Sequence, residues 1–242
     1  ASCTAMQKLG MRGVVYREVG AMDRRRVGFA MHQAENDLAH WQEEVDSDRL
    51  TIGLAPSSLF TCNPEIFAQL ASKENLPVAL RLAGDREECD FVRYGSSPFS
   101  VHSMDTTRCY VEVPPWLPTG TTPVNYVLNW GAFESDNVMM VHGVYVDDHD
   151  VAKLKEYDVS VASCPRINAQ LGMGVAPLAE FLNNGLRVGH RQPRCHRLHR
   201  HDLGDAHRHA HPARREPAQL HEVLHHAGDG HHRRRPRAAH GR

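Results

Sequence analysis

The feature that most constrains this chain is the regular alternation of short apolar strands with helices. The clearest instance is a strand at Val159–Ala162, followed by a polar loop, a helix from about Pro177 to Asn184 and a second strand at Leu186–Gly189. Gly185 stands just past this helix, where a left-handed C-cap favours glycine. A strand, a helix and another strand in this order form the repeating unit of a parallel sheet.

Earlier segments of the chain repeat this pattern. Strands are predicted at Arg12–Val19, Leu50–Ala55, Pro77–Ala83 and Asn137–Tyr145, and helices at Arg24–Arg49, Asn63–Lys73, Asp85–Tyr94, Val124–Trp130 and Asp148–Tyr157. The longest helix carries apolar side chains at three- and four-residue steps, which is the period of an amphipathic helix. Residues 96–122 are rich in Ser, Thr and Pro and are predicted to form a long loop. The pattern predicts an α/β fold built from βα units.

A combination of residues in the last unit is characteristic of a known family. It consists of Cys164-Pro165-Arg166-Ile167-Asn168, then Leu171-Gly172-Met173-Gly174, then Ala176-Pro177-Leu178. These residues resemble the C-P-x-S-N…L-G-x-G-x-A-P-L segment of the amidohydrolase superfamily. The similarity is greatest to the chlorohydrolase-like deaminases that act on methylthioadenosine, adenosylhomocysteine and related purines. The sequence departs from that pattern at Ile167, where the family usually has serine.

The resemblance implies a partial, distorted TIM (β/α)8 barrel, with the chemistry at the C-terminal ends of the strands. Residues 1–189 would supply strands three to seven and the start of strand eight. We expect the first two strands of the family's barrel, and the small β-sandwich that the family builds from its two chain ends, to be missing from this form.

The resemblance also assigns positions around a metal ion. In the resembled deaminases, the ligands are a His-x-His after strand one, the His of a His-x-x-Glu after strand five, a His after strand six and an Asp after strand eight. His142 matches the strand-six His, Arg81 falls on the strand-five His, and Gly84 falls on the proton-shuttling Glu. A substrate-contacting His of the family falls on Ser57. From the residues alone, a buried histidine with satisfied hydrogen bonds is the favoured explanation of His142, and it is the resemblance that favours a catalytic and metal-binding role.

These replacements change what the site can do. Arginine stays protonated and offers no lone pair to a metal, and glycine has no proton to transfer. The full-length family implies a divalent metal, with zinc favoured and iron or manganese also considered. For this chain as written we expect no bound metal, because only His142 of the ligand set remains.

Other candidate residues have simpler interpretations. Glu87 and Glu88 are predicted to be acids on a helix surface. Cys164 is predicted to be a structural thiol, because no His or Asp lies at a sequence spacing typical of a catalytic cysteine's partners. The predicted loop and cap residues are His102, His149, Asp147 and Asp148. The six cysteines include no C-x-x-C pair and are read as reduced thiols of a cytoplasmic protein.

The composition changes abruptly after Gly189. Residues 190–242 contain 13 of the 18 histidines and 12 arginines but five acidic residues. Such a tail has too few aliphatic residues to build a core and is predicted to be disordered. His-Arg codons read one base later can give Thr-Asp, so that His190-Arg-Gln-Pro becomes Thr-Asp-Ser-Pro, which the resembled family carries at strand eight. Our hypothesis is that this tail comes from a shifted reading frame.

Three functional hypotheses follow. The first is a metal-dependent hydrolase acting on C–N bonds of an aminated heterocycle such as a purine nucleoside. The second is a catalytically inert chain without a metal site, and the third and weakest is nucleic-acid binding through the basic tail. The expected partner is a small-molecule substrate, and a homo-oligomer remains open. No apolar run is long enough to cross a bilayer, so no membrane partner is expected.

Overall fold

The computed structural model describes residues 2–45, 48–73, 75–95, 118–135 and 137–190. Most of the predicted loop at 96–122, including His102, lies outside these ranges. The predicted His/Arg-rich tail also lies outside them, except for the backbone of His190.

The strands form one parallel sheet, as the βα pattern predicts. They are β1 (Gly13–Val19), β2 (Leu50–Pro56), β3 (Pro77–Leu82), β4 (Asn137–His142), β5 (Ser160–Ser163) and β6 (Val188–His190). Their order in the sheet is the order in the chain, and each neighbouring pair is parallel. Sequential parallel pairing is the arrangement found in a βα barrel. The predicted α/β class and parallel topology are therefore confirmed.

Helices connect these strands. Those in the described residues are α1 (Ser2–Lys8), α2 (Arg24–Glu44), α3 (Glu65–Ala71), α4 (Arg86–Tyr94), α5 (Pro123–Asn129), α6 (Asp148–Glu156), α7 (Pro165–Leu171) and α8 (Leu178–Asn183). In the described parts of the chain, none of them combines the length and apolar character that crossing a membrane requires. The buried face of α2 is formed by Val27, Met31, Ala34 and Leu38, at the predicted helical spacing.

Most of the predicted element ends are within one or two residues of the observed ones, but two elements end clearly earlier than the sequence suggested. The α2 helix stops at Glu44 rather than Arg49, because Val45 is already extended with φ −96° and ψ 148°. The β4 strand stops at His142 rather than Tyr145. The backbone turns there, because His142 and Gly143 have φ values of 76° and 57°, in the left-handed region.

The largest correction concerns the segment after β5, which was predicted to be a polar loop. It contains the helix α7 (Pro165–Leu171). Pro165 occupies the first turn, where its missing N–H costs nothing, and Gly172 closes the helix with φ 67°. Both residues are helix boundary signals in the sequence, so this helix was recognisable before the structure was known.

The sheet buries side chains on both faces. The larger core packs one face against the helices and includes Leu54, Leu80, Met140, Val161 and Phe181. The other face carries a smaller cluster of Ala79, Val141, Ala162 and Cys164, which we call the inner-face cluster. Side chains alternate between the faces of a strand, so neighbouring residues of β3 and β4 enter different cores. The inner face is where a barrel of this type has its interior.

Candidate active site at the C-terminal ends of the strands

A cavity of about 290 Å³ lies on the inner face of the sheet. Its lining residues are Tyr16, Glu18, Ala55, Ala79, Arg81, Val141, His142, Cys164 and Ile167. Ala79, Val141 and Cys164 of the inner-face cluster supply apolar lining, and the polar side chains Glu18, Arg81 and His142 come from the last two residues of β1, β3 and β4. Parallel strands bring their carboxyl ends to one edge, which is where ligands bind in such folds.

The charged groups of the cavity form an ion pair. Arg81 Nη2 lies 3.0 Å from Glu18 Oε1, with the two side chains 46% and 59% exposed. At this exposure the pair contributes at most about 1 kcal/mol to stability. Its main effect is local. The pair holds a permanently charged guanidinium at the cavity and engages the carboxylate of Glu18, which lines the same cavity.

His142 lies at the end of β4 in an unusual backbone conformation. Its φ of 76° falls in the left-handed region, which costs energy for a residue with a Cβ and is found preferentially at functional sites. Its Nδ1 lies 2.8 Å from the Oδ1 of Asn168. The structure therefore gives His142 both a strained backbone and a hydrogen-bonded ring at the edge of the cavity.

Asn168 was not predicted as a site residue, although it belongs to the motif that identifies the family. It lies in α7 and is 1% exposed. Within the described residues, its Nδ2 has no hydrogen-bond partner. Burying an amide donor in this way costs about 1–3 kcal/mol. Asn168 was not expected near His142 because the two residues are 26 positions apart in the sequence and meet only through the pairing of β4 with β5.

Gly84 lies directly beside His142. A Cβ built on Gly84 would come within 3.5 Å of His142 Cγ and within 2.8 Å of Met173 Cε. The φ of Gly84 is outside the left-handed region, so the backbone accepts other residues there. The Met173 methyl is the end of a flexible side chain and can move. A larger residue at position 84 would therefore place its side chain against the imidazole.

The prediction that Glu87 and Glu88 both lie on a helix surface is wrong for Glu88. Glu87 is exposed, but Glu88 is only 6% exposed and its Oε2 accepts the Gly84 N–H at 2.9 Å. Burial raises the pKa of Glu88 from 4.5 to about 8. Phe91 and Val92, three and four residues later, share its buried face. That spacing was a signal in the sequence that Glu88 points inward.

Asp85 adds a second carboxyl group to this turn. It is the N-cap of α4, and its Oδ1 accepts the Glu88 N–H at 2.7 Å. Burial is the main reason that the pKa of Asp85 is raised, and the neighbouring Glu87 acts in the same direction, while His142 opposes it. Two carboxyl groups thus support the turn that carries Gly84 to His142.

Ser57 lies at the end of β2 but is not among the residues that line the cavity. Its Oγ is 2.7 Å from Thr61 Oγ1 and 3.3 Å from Cys62 Sγ, and its N–H donates to Val19 O. Of the four positions predicted from the sequence, the structure brings Arg81, Gly84 and His142 to one region, and it places Ser57 in a separate polar cluster with Thr61.

The described residues do not fit a metal centre. Among them, no three His, Cys, Asp or Glu side chains are grouped so that they could hold an ion. Of the described residues that line the cavity, His142 alone carries an imidazole, and the nearby Glu18 is paired with Arg81. A fixed guanidinium charge at this position also opposes a divalent cation.

Comparison with known proteins establishes the relationship. The sequence model of the amidohydrolase family matches residues 4–190. The chain belongs to this family. The region that matches contains all the strands described above together with the cavity at their carboxyl ends.

Curated relatives of this amidohydrolase chain carry the name 5-methylthioadenosine/S-adenosylhomocysteine deaminase. The protein of Carboxydothermus hydrogenoformans is 27% identical over 190 residues, covering 76% of this chain and 38% of the relative. That of Pelotomaculum thermopropionicum is 29% identical over 191 residues, covering 76% and 37%. The chain therefore spans less than two fifths of the length of these relatives.

Solved structures show the same fold. An adenosine deaminase from Xanthomonas campestris with bound zinc superposes with a TM-score of 0.57 at 18% identity, covering 78% of this chain and 38% of that one. A guanine deaminase from C. acetobutylicum with bound guanine gives a TM-score of 0.57 at 17% identity, covering 77% and 41%. Both support the expected amidohydrolase barrel fold for the described part of the chain.

Proposed function

We propose that the cavity belongs to a hydrolase that acts on a C–N bond of an aminated heterocycle, with a purine nucleoside as the leading substrate class. The observation that carries the proposal is the amidohydrolase family match over residues 4–190, which includes the whole cavity. The names of the curated relatives, which are purine-nucleoside deaminases, support the substrate class. Nucleic-acid binding through the tail remains a weaker prediction outside the described residues.

Within this proposal, His142 contacts the reacting part of the substrate, because its ring lines the cavity. Gly84 and Ser57 correspond to positions that face the substrate in the family, where it has a proton-shuttling Glu and a substrate-contacting His, and both residue types have changed here. A glycine beside His142 leaves room next to the imidazole, which a longer side chain at position 84 would fill. Arg81 takes the place of a metal-binding histidine and cannot itself bind a metal.

For this chain as written, we propose that it is catalytically inert. The specific observation in favour is the Arg81–Glu18 ion pair, because the resemblance assigns Arg81 to the position of a metal-binding histidine and the pair holds its guanidinium at the cavity. The described donors are too few for a metal centre. The metal-dependent step of the family therefore has no structural basis in the residues described.

The test compares the chain with the double variant Arg81→His/Gly84→Glu, which restores the family's His-x-x-Glu. Both proteins are incubated with zinc, freed of excess metal and analysed for zinc per chain. Ammonia release is then measured with 5′-methylthioadenosine, S-adenosylhomocysteine, adenosine and guanine. Arg86→His/Glu87→Gln, two exposed positions on the following helix, is the matched control.

We expect no ammonia from the unaltered chain, and more retained zinc in the double variant than in the chain or the control. Ammonia release by the unaltered chain would support the substrate proposal and refute the inert form. If the double variant is folded but retains no more zinc than the control, the expectation that a histidine at position 81 binds zinc together with His142 is refuted. If it retains zinc but releases no ammonia from any purine, the proposed substrate class loses its support.

A further inference from the structure

The hydrogen bond between His142 and Asn168 joins two elements that are neighbours in the sheet but distant in sequence. His142 ends β4, and Asn168 lies in the helix that follows β5, with Val141 and Ala162 paired between the two strands. The ring Nδ1 and the amide Oδ1 are 2.8 Å apart. This is a normal length for an N–H···O hydrogen bond.

Asn168 is held firmly in place. Its backbone N–H donates to Cys164 O at 2.9 Å, and its backbone carbonyl accepts the Met173 N–H at 2.8 Å. Its side chain is buried, so no water competes for the amide. The amide oxygen therefore has a fixed position relative to the end of β4.

We infer that Asn168 is a positioning residue that sets the tautomer of His142. A carbonyl oxygen has no proton, so this hydrogen bond requires the imidazole to carry its proton on Nδ1. The neutral ring then has its lone pair on Nε2. A histidine in water prefers the opposite tautomer, with the proton on Nε2, so the contact imposes a state that solvent would not select. Second partners of this kind commonly fix the orientation and tautomer of functional histidines.

The unsatisfied Nδ2 of Asn168 supports a role beyond packing. A residue kept only to fill space would be apolar, since a buried amide without a partner for its donor is unfavourable. Here the amide keeps its oxygen on the ring, at the cost of a donor that has no partner within the described residues. This arrangement is explained if the function of the Asn168 side chain is to present its amide oxygen to His142 as a hydrogen-bond acceptor.

The consequence deepens the proposed function and rests on it. With the lone pair on Nε2, His142 accepts a proton or a hydrogen bond from a group in the cavity, whereas the other tautomer donates one. Asn168 would therefore determine whether His142 acts towards the substrate as an acceptor or as a donor. Asn168 itself need not touch the substrate.

The test is the tautomer of His142 in the full chain, measured without substrate or metal by NMR of protein labelled with 15N-histidine. The chemical shifts of the two ring nitrogens distinguish protonated from unprotonated nitrogen. The His142 signals are identified by their loss in His142→Asn, since asparagine tolerates a left-handed backbone. Measurements are made at a pH where the ring is neutral.

Three variants make the result specific. Asn168→Leu removes the acceptor with little change in size, and Asn168→Asp keeps an oxygen in the same place. Asn36→Leu is the matched control, because Asn36 Nδ2 and His32 Nε2 form an exposed pair at 3.2 Å on α2. Circular dichroism and the midpoint of urea unfolding establish that each variant is folded.

We expect the Nδ1–H tautomer of His142 in the chain, in Asn168→Asp and in Asn36→Leu, and a shift towards the Nε2–H tautomer in Asn168→Leu. An Nε2–H tautomer in the unaltered chain would overturn the inference, because Asn168 would then be donating through Nδ2. An unchanged tautomer in folded Asn168→Leu would overturn it as well. If Asn168→Leu does not fold, the tautomer of His142 in the unaltered chain still decides whether the inference holds. The NMR experiment measures no turnover, so its outcome can be told apart from failure of the hydrolase proposal.

Discussion

Replacing Glu88 by glutamine should make the stability of this protein less dependent on pH. The Glu88 carboxyl is buried beneath the turn that carries Gly84, and its Oε2 accepts the Gly84 N–H. Glutamine has the same shape and keeps an oxygen for this hydrogen bond, but it cannot ionise. The substitution therefore removes a buried titration and leaves the contact in place.

The sign and size of the effect follow from the pKa. Burial raises the pKa of Glu88 in the folded chain to about 8, from 4.5. Between these values, the folded state binds more protons than the unfolded state. The stability that Glu88 contributes is therefore complete below about pH 4.5 and is lost as the pH rises through about 8. At about 1.4 kcal/mol per pH unit, the loss is on the order of 5 kcal/mol.

The assay is urea unfolding of the chain and of Glu88→Gln at pH values from 5 to 8. We expect the free energy of unfolding to fall more steeply with pH in the chain than in Glu88→Gln, so that the variant is the more stable protein at pH 8. Glu87→Gln is the control, because Glu87 is exposed on the same helical turn and should follow the unaltered chain. Equal slopes for the chain and Glu88→Gln would refute the argument from burial.

Two further predictions concern stability and can be measured by urea unfolding. Asp150→Ala should cost about 3 kcal/mol, because the buried carboxylate accepts from Thr122 Oγ1 at 2.6 Å and Asn125 Nδ2 at 3.2 Å and also completes the capping box of α6. The exposed Asp148→Ala should cost about 0.5 kcal/mol, and equal losses would contradict this account. Gly84→Ala should cost about 1 kcal/mol or less. Gly143→Ala should cost at least about 2 kcal/mol, because its φ is 57° and its Cβ would lie 2.5 Å from Cε of Met140, a side chain that is fully buried in the core and less free to move than Met173. A larger loss at Gly84 would show that its surroundings are less adaptable than the structure indicates.

The candidate site was only partly predictable. His142, Arg81 and Gly84 were placed by resemblance to a family motif, and the structure brings them to one end of the sheet. Ser57 was placed in the same way, but its hydroxyl contacts Thr61 and Cys62 instead of the cavity. Motif matching assigns a residue to a strand end, but the direction of its side chain depends on the packing of the following loop.

Asn168 shows a different limit of prediction from sequence, which concerns contacts between distant residues. Its residue type and motif were visible in the sequence, and so were Pro165 and Gly172, which begin and end its helix. The 26 positions that separate it from His142 gave no indication of contact. The contact exists because β4 and β5 are neighbours in the sheet and α7 starts immediately after β5.

What the sequence determined by itself is local and periodic. The alternation of apolar strands and amphipathic helices specified a parallel α/β fold, and the spacing of Val27, Met31, Ala34 and Leu38 specified the buried face of α2. These features follow from backbone geometry, which repeats every two residues in a strand and every 3.6 residues in a helix. Apolar residues in the sequence recur with the same periods.

Only the tertiary structure decided which polar groups are buried and which of them meet. Glu88 becomes a carboxyl of high pKa because other elements cover its side of α4, and Arg81 acquires Glu18 as its partner because β1 and β3 end at the same edge of the sheet. Burial and charge pairing depend on atoms contributed by distant parts of the chain, so their energies cannot be read from neighbouring residues.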